Sequence, residues 1–247
     1  MSVIYEPKGA AREYSELACN LYKGCLHGCK YCYVPTIPPW KYKSNARSEF
    51  HKTRMPRKEV VRQFERDARK WERTEKEILF CFTCDPFAYQ GDNQVTMECL
   101  QIADQYNLKN IQILTKGGKC AMDALPLIAK NGWKFAQTVV FADDALRRKY
   151  EPHASPIEER LEMCKRAQQV GAHAWVSMEP VIDTKQAKAV YEMFCEHVDF
   201  WKVGKINHAP DLESRSNWTG FTNWVLETIP SEKLYLKKSL QKYRIKG

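Results

Sequence analysis

The stretch Cys25-Leu26-His27-Gly28-Cys29-Lys30-Tyr31-Cys32 places three thiols within eight residues, at C-x3-C-x2-C spacing. In a glycine-containing loop, three thiols this close can converge on one metal centre. Their odd number prevents them from all pairing as disulfides. A site-differentiated iron–sulfur cluster wants this arrangement: three thiolates hold three irons, and a fourth iron keeps an open position. A structural zinc site wants a fourth Cys or His. His27 stands between the thiols, where its backbone leaves it poorly placed to close the same shell. The plainer reading is three ordinary buried or surface cysteines.

The longer stretch 19–33, CNLYKGCLHGCKYCY, resembles the radical SAM superfamily. Within it the stretch is most similar to the spore photoproduct lyase-like branch, whose members carry a Y-x-G-C-x-H-G-C-x-Y-C-Y run. The resemblance implies a [4Fe-4S] cluster on Cys25, Cys29 and Cys32. It implies that S-adenosylmethionine (SAM) chelates the open iron, and that one-electron reduction cleaves SAM to methionine and a 5′-deoxyadenosyl radical. Tyr31 holds the aromatic position that packs near the adenine in the superfamily.

Later blocks resemble the branch in register, over about residues 17–208. Phe82-Thr83-Cys84-Asp85-Pro86-Phe87 resembles its T-[ST]-D-P turn, with Thr83 beside Cys84, which stands where a SAM-binding hydroxyl is expected. Thr115-Lys116-Gly117-Gly118 resembles its T-K-S segment and makes Lys116 the partner for the SAM carboxylate, a charge-assisted contact. Three further blocks are similar to the branch: Tyr150-Glu151-Pro152-His153-Ala154-Ser155-Pro156, Ser177-Met178-Glu179-Pro180-Val181-Ile182-Asp183 and Trp201-Lys202-Val203-Gly204-Lys205-Ile206-Asn207. They offer Glu179 to the ribose or the substrate, and Lys205 and Asn207, two apart on one strand face, to an anionic substrate. Thr138 reads either as a ribose or methionine contact or as a β-branched core residue. Spore photoproduct lyases use a cysteine as hydrogen-atom donor in the second-strand region, where this chain has Cys81 and Cys84. In an extended strand these two face opposite sides. Cys81 then reads as core and Cys84 as the candidate catalytic thiol.

The 247 residues are 44% hydrophobic, enough for one domain or two small ones with a substantial core; the reading is a single radical SAM domain, with residues 209–247 forming a C-terminal helix and basic tail. No stretch approaches the ~20 apolar residues that span a bilayer. The N-terminal residues lack a signal-peptide core, and ten cysteines without an export signal point to a reducing compartment. A cytoplasmic protein without a membrane segment is therefore expected, and the sequence leaves its oligomeric state open.

The net charge of +9 is concentrated in two places. Residues 40–76 carry thirteen Lys and Arg against six Asp and Glu, and residues 232–247 carry six against one. Such concentration is the sequence footprint of a polyanion-binding surface. Over 57–76 the charges have helical spacing with acids interleaved, the pattern of a solvated helix face. The segment 41–58, with Trp40 and Tyr42 nearby, reads as a basic, aromatic loop beside the cluster, and 233–246 as a second basic segment.

Short apolar runs at 18–22, 78–83, 110–115, 134–141, 174–178 and 200–204 alternate with helical patterns near 57–75, 95–106, 120–131, 157–170, 185–197 and 218–228. Alternation of this kind means βαβ units and a parallel sheet. Six units make a curved open sheet, a partial (β/α)6 TIM-like barrel, which is also the superfamily's core fold. Residues 233–237 offer an edge strand. Ser155 before Pro156 and Glu158 reads as a helix N-cap with a capping-box acid. Function sits at the carboxyl ends of strands in such folds, and the cysteine triplet follows the first strand.

The sequence thus reads as a radical SAM enzyme acting on nucleic acid or a nucleotide and fed by an external one-electron reductant. Two alternatives stand beside it: the same chemistry on a small metabolite or peptide, and a zinc-containing nucleic-acid-binding protein.

Overall fold

The computed structural model describes residues 2–89, 91–207 and 209–245. Its strands are β1 (Ile4–Tyr5), β2 (Leu17–Cys19), β3 (Tyr22–Lys23), β4 (Met55–Pro56), β5 (Ile78–Phe80), β6 (Ile111–Thr115), β7 (Lys134–Thr138), β8 (His173–Val181), β9 (Phe200–Lys205) and β10 (Leu234–Leu236). The α-helices are α1 (Ala46–Lys52), α2 (Val60–Lys70), α3 (Gln94–Gln105), α4 (Leu125–Lys130), α5 (Asp144–Tyr150), α6 (Ile157–Gln169), α7 (Thr184–Phe194), α8 (Pro210–Glu213), α9 (Trp218–Thr228) and α10 (Lys238–Gln241).

Eight strands form one open sheet in the order β1-β2-β5-β6-β7-β8-β9-β10. β1 runs antiparallel to β2, and every other neighbouring pair in this sheet is parallel. The six expected strands are β2 and β5 to β9, so the partial barrel is present. The structure adds an antiparallel edge strand, β1, and places the expected 233–237 strand at the far edge as β10, parallel to β9. Central strands are buried on both faces, as the continuous apolar run Ile78–Phe80 shows. One core packs β2 and β5 to β7 against α2, α3 and α4; a second packs β8 and β9 against α7 and α9.

Several boundaries differ from the sequence reading. The second expected strand stops at Phe80, and the run 134–141 leaves the sheet after Thr138. Ser155 does not cap α6: Pro156 holds that position, and the Ser155 hydroxyl instead accepts from Arg160 Nε at 3.3 Å. Gly132 and Gly171, just past the ends of α4 and α6, adopt positive φ, +63° and +80°.

The link between β1 and β2 crosses to the other edge of the sheet. Glu13 accepts from the Tyr235 hydroxyl at 3.3 Å and the Lys238 amide at 2.8 Å, and Tyr14 beside it reaches Ser177 on β8 at 2.8 Å. The open side of the barrel is therefore bridged by the chain's own N-terminal segment. No helix among the described residues is long and apolar enough to cross a membrane.

Candidate cluster and cofactor site

The three cysteines lie on the loop between β3 and α1. A two-stranded ribbon holds its ends together, Tyr22 facing Pro56 and Lys23 facing Met55. Gly24 has a φ of +80°, and a Cβ there would overlap the Thr53 carbonyl, so only glycine lets the loop enter against α1's exit. Cys29 is buried, and Cys25 and Cys32 are partly buried; all three are free thiols. Burial pushes each thiol's pKa up, and at Cys29 and Cys32 the Lys116 ammonium works in the opposite direction. Among the described residues no three or more His, Cys, Asp or Glu are grouped as they would be around a single metal ion. Three soft thiol donors on one tight loop, with a cation beside them, suit an anionic iron–sulfur cluster.

Behind the loop lies a residue that the sequence presented only as a turn-former. Asp85 is 7% exposed and joins three segments. One carboxylate oxygen takes the Phe87 amide at 2.9 Å and the Thr115 hydroxyl at 2.5 Å; the other takes the Lys116 amide at 2.8 Å and lies 2.8 Å from His27 Nε2. Burial alone would raise its pKa, but the His27 imidazole, the Thr115 hydroxyl and the Lys116 amide hold it below the ordinary range. His27 is thus turned inward to Asp85, and its Nδ1 lies 3.3 Å from the His153 carbonyl.

The connection from α5 to α6 braces the loop from the other side. The Lys30 amide donates to Tyr150 O at 2.9 Å, and the His153 amide to His27 O at 3.1 Å. The Tyr31 hydroxyl donates to Glu151, which pairs with Arg160 at 2.8 Å; both charged side chains are fully buried. Arg160 also donates to the carbonyls of Thr138 at 2.8 Å and Ser155 at 3.0 Å. The buried Thr138 therefore anchors this brace through its carbonyl. Lys116 is half-buried, its Nζ 5.7 Å from the Tyr31 ring centroid. Burial opposes its charge, yet anionic neighbours, Cys29 as thiolate and the Glu151 carboxylate, outweigh it and raise the Lys116 pKa.

Residues 19–190 match the family model of the radical SAM superfamily. The chain belongs to the radical SAM superfamily. The family works with an iron–sulfur cluster and SAM, which favours the cluster over the zinc reading. Among solved structures the chain is similar to Streptococcus suis SuiB bound to precursor peptide SuiA, with a TM-score of 0.63 and 11% identity over 89% of this chain and 48% of SuiB. It is also similar to a spore photoproduct lyase variant with bound AdoMet and dinucleoside spore photoproduct, with a TM-score of 0.59 and 13% identity over 84% of this chain and 62% of the lyase. The chain thus spans about half the length of SuiB and under two thirds of that lyase, and at these identities the likeness is one of fold. No curated protein matches.

The radical SAM fold gathers the remaining candidates at the carboxyl ends of its strands, with corrections. Because β5 ends at Phe80, Cys81 and Cys84 do not point to opposite faces of a strand. Both are buried, and the Cys81 thiol interacts with Cys84 on one side and Cys19 on the other. Cys19, without a role in the sequence reading, belongs to this thiol group. The Thr83 amide donates to Asn20 Oδ1 at 2.7 Å. Glu179 accepts from the Tyr14 hydroxyl and, at 2.7 Å, from Lys237 Nζ. Lys237 comes from the C-terminal basic segment but is buried, so the polyanion surface expected over 233–246 loses that charge to Glu179. Lys246 of that segment and His208 lie outside the described residues. Lys205 is also not free for an anionic substrate: it is buried and paired with Glu213, and the Asn207 amide donates to Lys205 O at 3.1 Å.

Lys202 donates to Tyr14 O at 2.8 Å, 4.8 Å from the Trp175 ring centroid. Burial pushes its pKa down from 10.5 to about 8. Between those values the unfolded chain holds the proton and the folded chain does not, so stability rises with pH across that window. Lys202→Met removes this rise. Urea unfolding of the variant is expected to show greater relative stability at pH 7 than at pH 10.5; an unchanged difference between the two proteins contradicts the assignment.

Proposed function

We propose that this chain carries a [4Fe-4S] cluster on Cys25, Cys29 and Cys32 and acts as a radical SAM enzyme on nucleic acid or a nucleotide. When bound, cluster and SAM together supply a 5′-deoxyadenosyl radical, which takes a hydrogen atom from the substrate. The observation that carries the reading is the convergence of the three-thiol loop with Lys116, Asp85 and the Tyr31–Glu151–Arg160 brace at the strand ends. The chain's residues then have separate tasks. Lys116 presents a retained positive charge to the carboxylate of SAM. Tyr31, fixed by Glu151, lines the adenine side, while Thr83, Thr138 and Glu179 surround the remaining volume. Cys84, beside Cys81 and Cys19, is the candidate thiol for returning a hydrogen atom. The two edges, β1 with residues 9–15 and β10, limit water entry from the open side of the barrel. The enzyme is read as a single cytoplasmic domain served by an external one-electron reductant.

The nucleic-acid reading rests on charge. Lys41, Lys43, Lys52 and Lys58 are exposed, with Tyr42 74% exposed beside them. Fluorescence anisotropy with a labelled single-stranded oligonucleotide is expected to show affinity falling steeply with salt, because Lys and Arg displace counterions from phosphates. Lys41→Gln/Lys52→Gln/Lys58→Gln should flatten the slope by about three contacts' worth. Binding that is absent, or insensitive to salt, favours the peptide or small-metabolite substrate.

A further inference from the structure

A single short helix reaches the main chain of all three candidate cluster cysteines. Arg47 donates from one guanidinium nitrogen to Cys29 O at 3.3 Å and from the other to Cys32 O at 3.0 Å. His51 Nδ1 lies 3.1 Å from Cys25 O, and the Cys25 amide donates to Phe50 O at 3.1 Å. Arg47, Phe50 and His51 are spaced i, i+3 and i+4, so they share one face of α1. Phe50 anchors that face: it is 1% exposed and meets Trp40 edge-on, with ring centroids 5.1 Å apart. The basic segment 41–58 therefore spends part of its charge on the loop instead of on solvent. Arg54 is engaged in the same way, donating to Pro86 O at 3.2 Å and Asn93 Oδ1 at 2.9 Å while lying 3.6 Å from the Tyr22 ring centroid.

We propose that Arg47 is a positioning residue for the cluster, bridging the carbonyls of two ligands and supplying the fixed positive charge that sets its reduction potential. This rests on the assignment of the cluster to Cys25, Cys29 and Cys32. The physical reason is direct. Reduction adds negative charge to a cluster already bound by thiolates, and a cation held beside two of the ligands favours the reduced state. The planar fork of arginine spans two acceptors, which an ammonium cannot do with the same geometry. Arg47 is exposed, but its two hydrogen bonds hold the guanidinium against the loop carbonyls.

The test is an anaerobic redox titration of the reconstituted protein, read by the electron paramagnetic resonance signal of the reduced cluster. Wild type, Arg47→Gln, Arg47→Lys and, as a charge control, Lys149→Gln on α5, where Lys149 is exposed, are compared. The midpoint potential is expected to become more negative in Arg47→Gln, to move less in Arg47→Lys, and to stay at the wild-type value in Lys149→Gln. A wild-type potential in Arg47→Gln overturns the proposal, as does an equal shift in Lys149→Gln. Should Arg47→Gln take up no cluster, full iron content in Arg47→Lys supports the role of the charge. Its loss there too overturns that role and leaves Arg47 a structural strut. Failure of the wild type itself to bind iron and sulfide counts against the cluster assignment and is visible before any variant is compared.

Discussion

Cys29→Ala is expected to leave a folded protein that takes up no iron–sulfur cluster. Cys29 is the most buried of the three candidate ligands, and its carbonyl accepts from both the Cys32 amide and Arg47. Losing one sulfur atom at the edge of a loop removes little packing, so circular dichroism and the unfolding midpoint should change modestly, by about 1 kcal/mol. Iron and sulfide content should nevertheless fall to background, since two thiols on a loop do not hold a cluster that needs three. Cys99→Ala, on the buried face of α3, is the control; it is expected to keep the cluster and to lose only packing. Equal iron and sulfide in Cys29→Ala and wild type would remove Cys29 from the ligand set.

The second large effect concerns stability. Arg160→Ala leaves Glu151 as an unpaired charge at a position with no solvent exposure, and it also strips a donor from the Thr138 and Ser155 carbonyls. Breaking a buried pair by removing one partner costs about 3–5 kcal/mol, which in a chain of this size lowers Tm by roughly 6–20 °C. Burial opposes ionisation of Glu151, but Arg160, Lys116 and Tyr31 more than offset it and keep its pKa below the ordinary 4.5. With its folded pKa depressed, the group's contribution is present above about pH 4.5 and is lost as pH falls through the lower folded value. Glu151→Gln should therefore lose stability at neutral pH and show a shallower acid limb than wild type. A Tm for Arg160→Ala within a degree of wild type would show that the brace carries no such energy.

The legible part of this protein was what repeats or what is close in sequence. Alternating apolar runs and helical periods placed β2 and β5 to β9, because each strand buried on both faces must read as a continuous apolar segment. The cysteine triplet was legible as a candidate for the same reason: its three thiols lie within one loop. What escaped were partnerships between distant residues. Nothing near Asp85 announces that it will tie His27, Thr115 and Lys116 together, since those partners are 58, 30 and 31 residues away. A polar residue directly before proline, at a strand end facing the cysteine loop, was the available signal. Lys237 and Lys205 look like surface charge because their acids, Glu179 and Glu213, meet them only in the folded chain. The expectation that Cys81 and Cys84 face opposite sides failed on one boundary: with the strand ending at Phe80, two-residue periodicity no longer applies to the residues that follow.

The central claim is that this loop, in this fold, supports cleavage of SAM. Its most direct test is to reconstitute the protein anaerobically with iron and sulfide, add SAM and dithionite, and quantify 5′-deoxyadenosine by chromatography beside Cys25→Ala/Cys29→Ala/Cys32→Ala. The account predicts 5′-deoxyadenosine from the wild type and none above background from the triple variant. Equal product from the two proteins, or a wild type that binds neither iron nor sulfide, would contradict it.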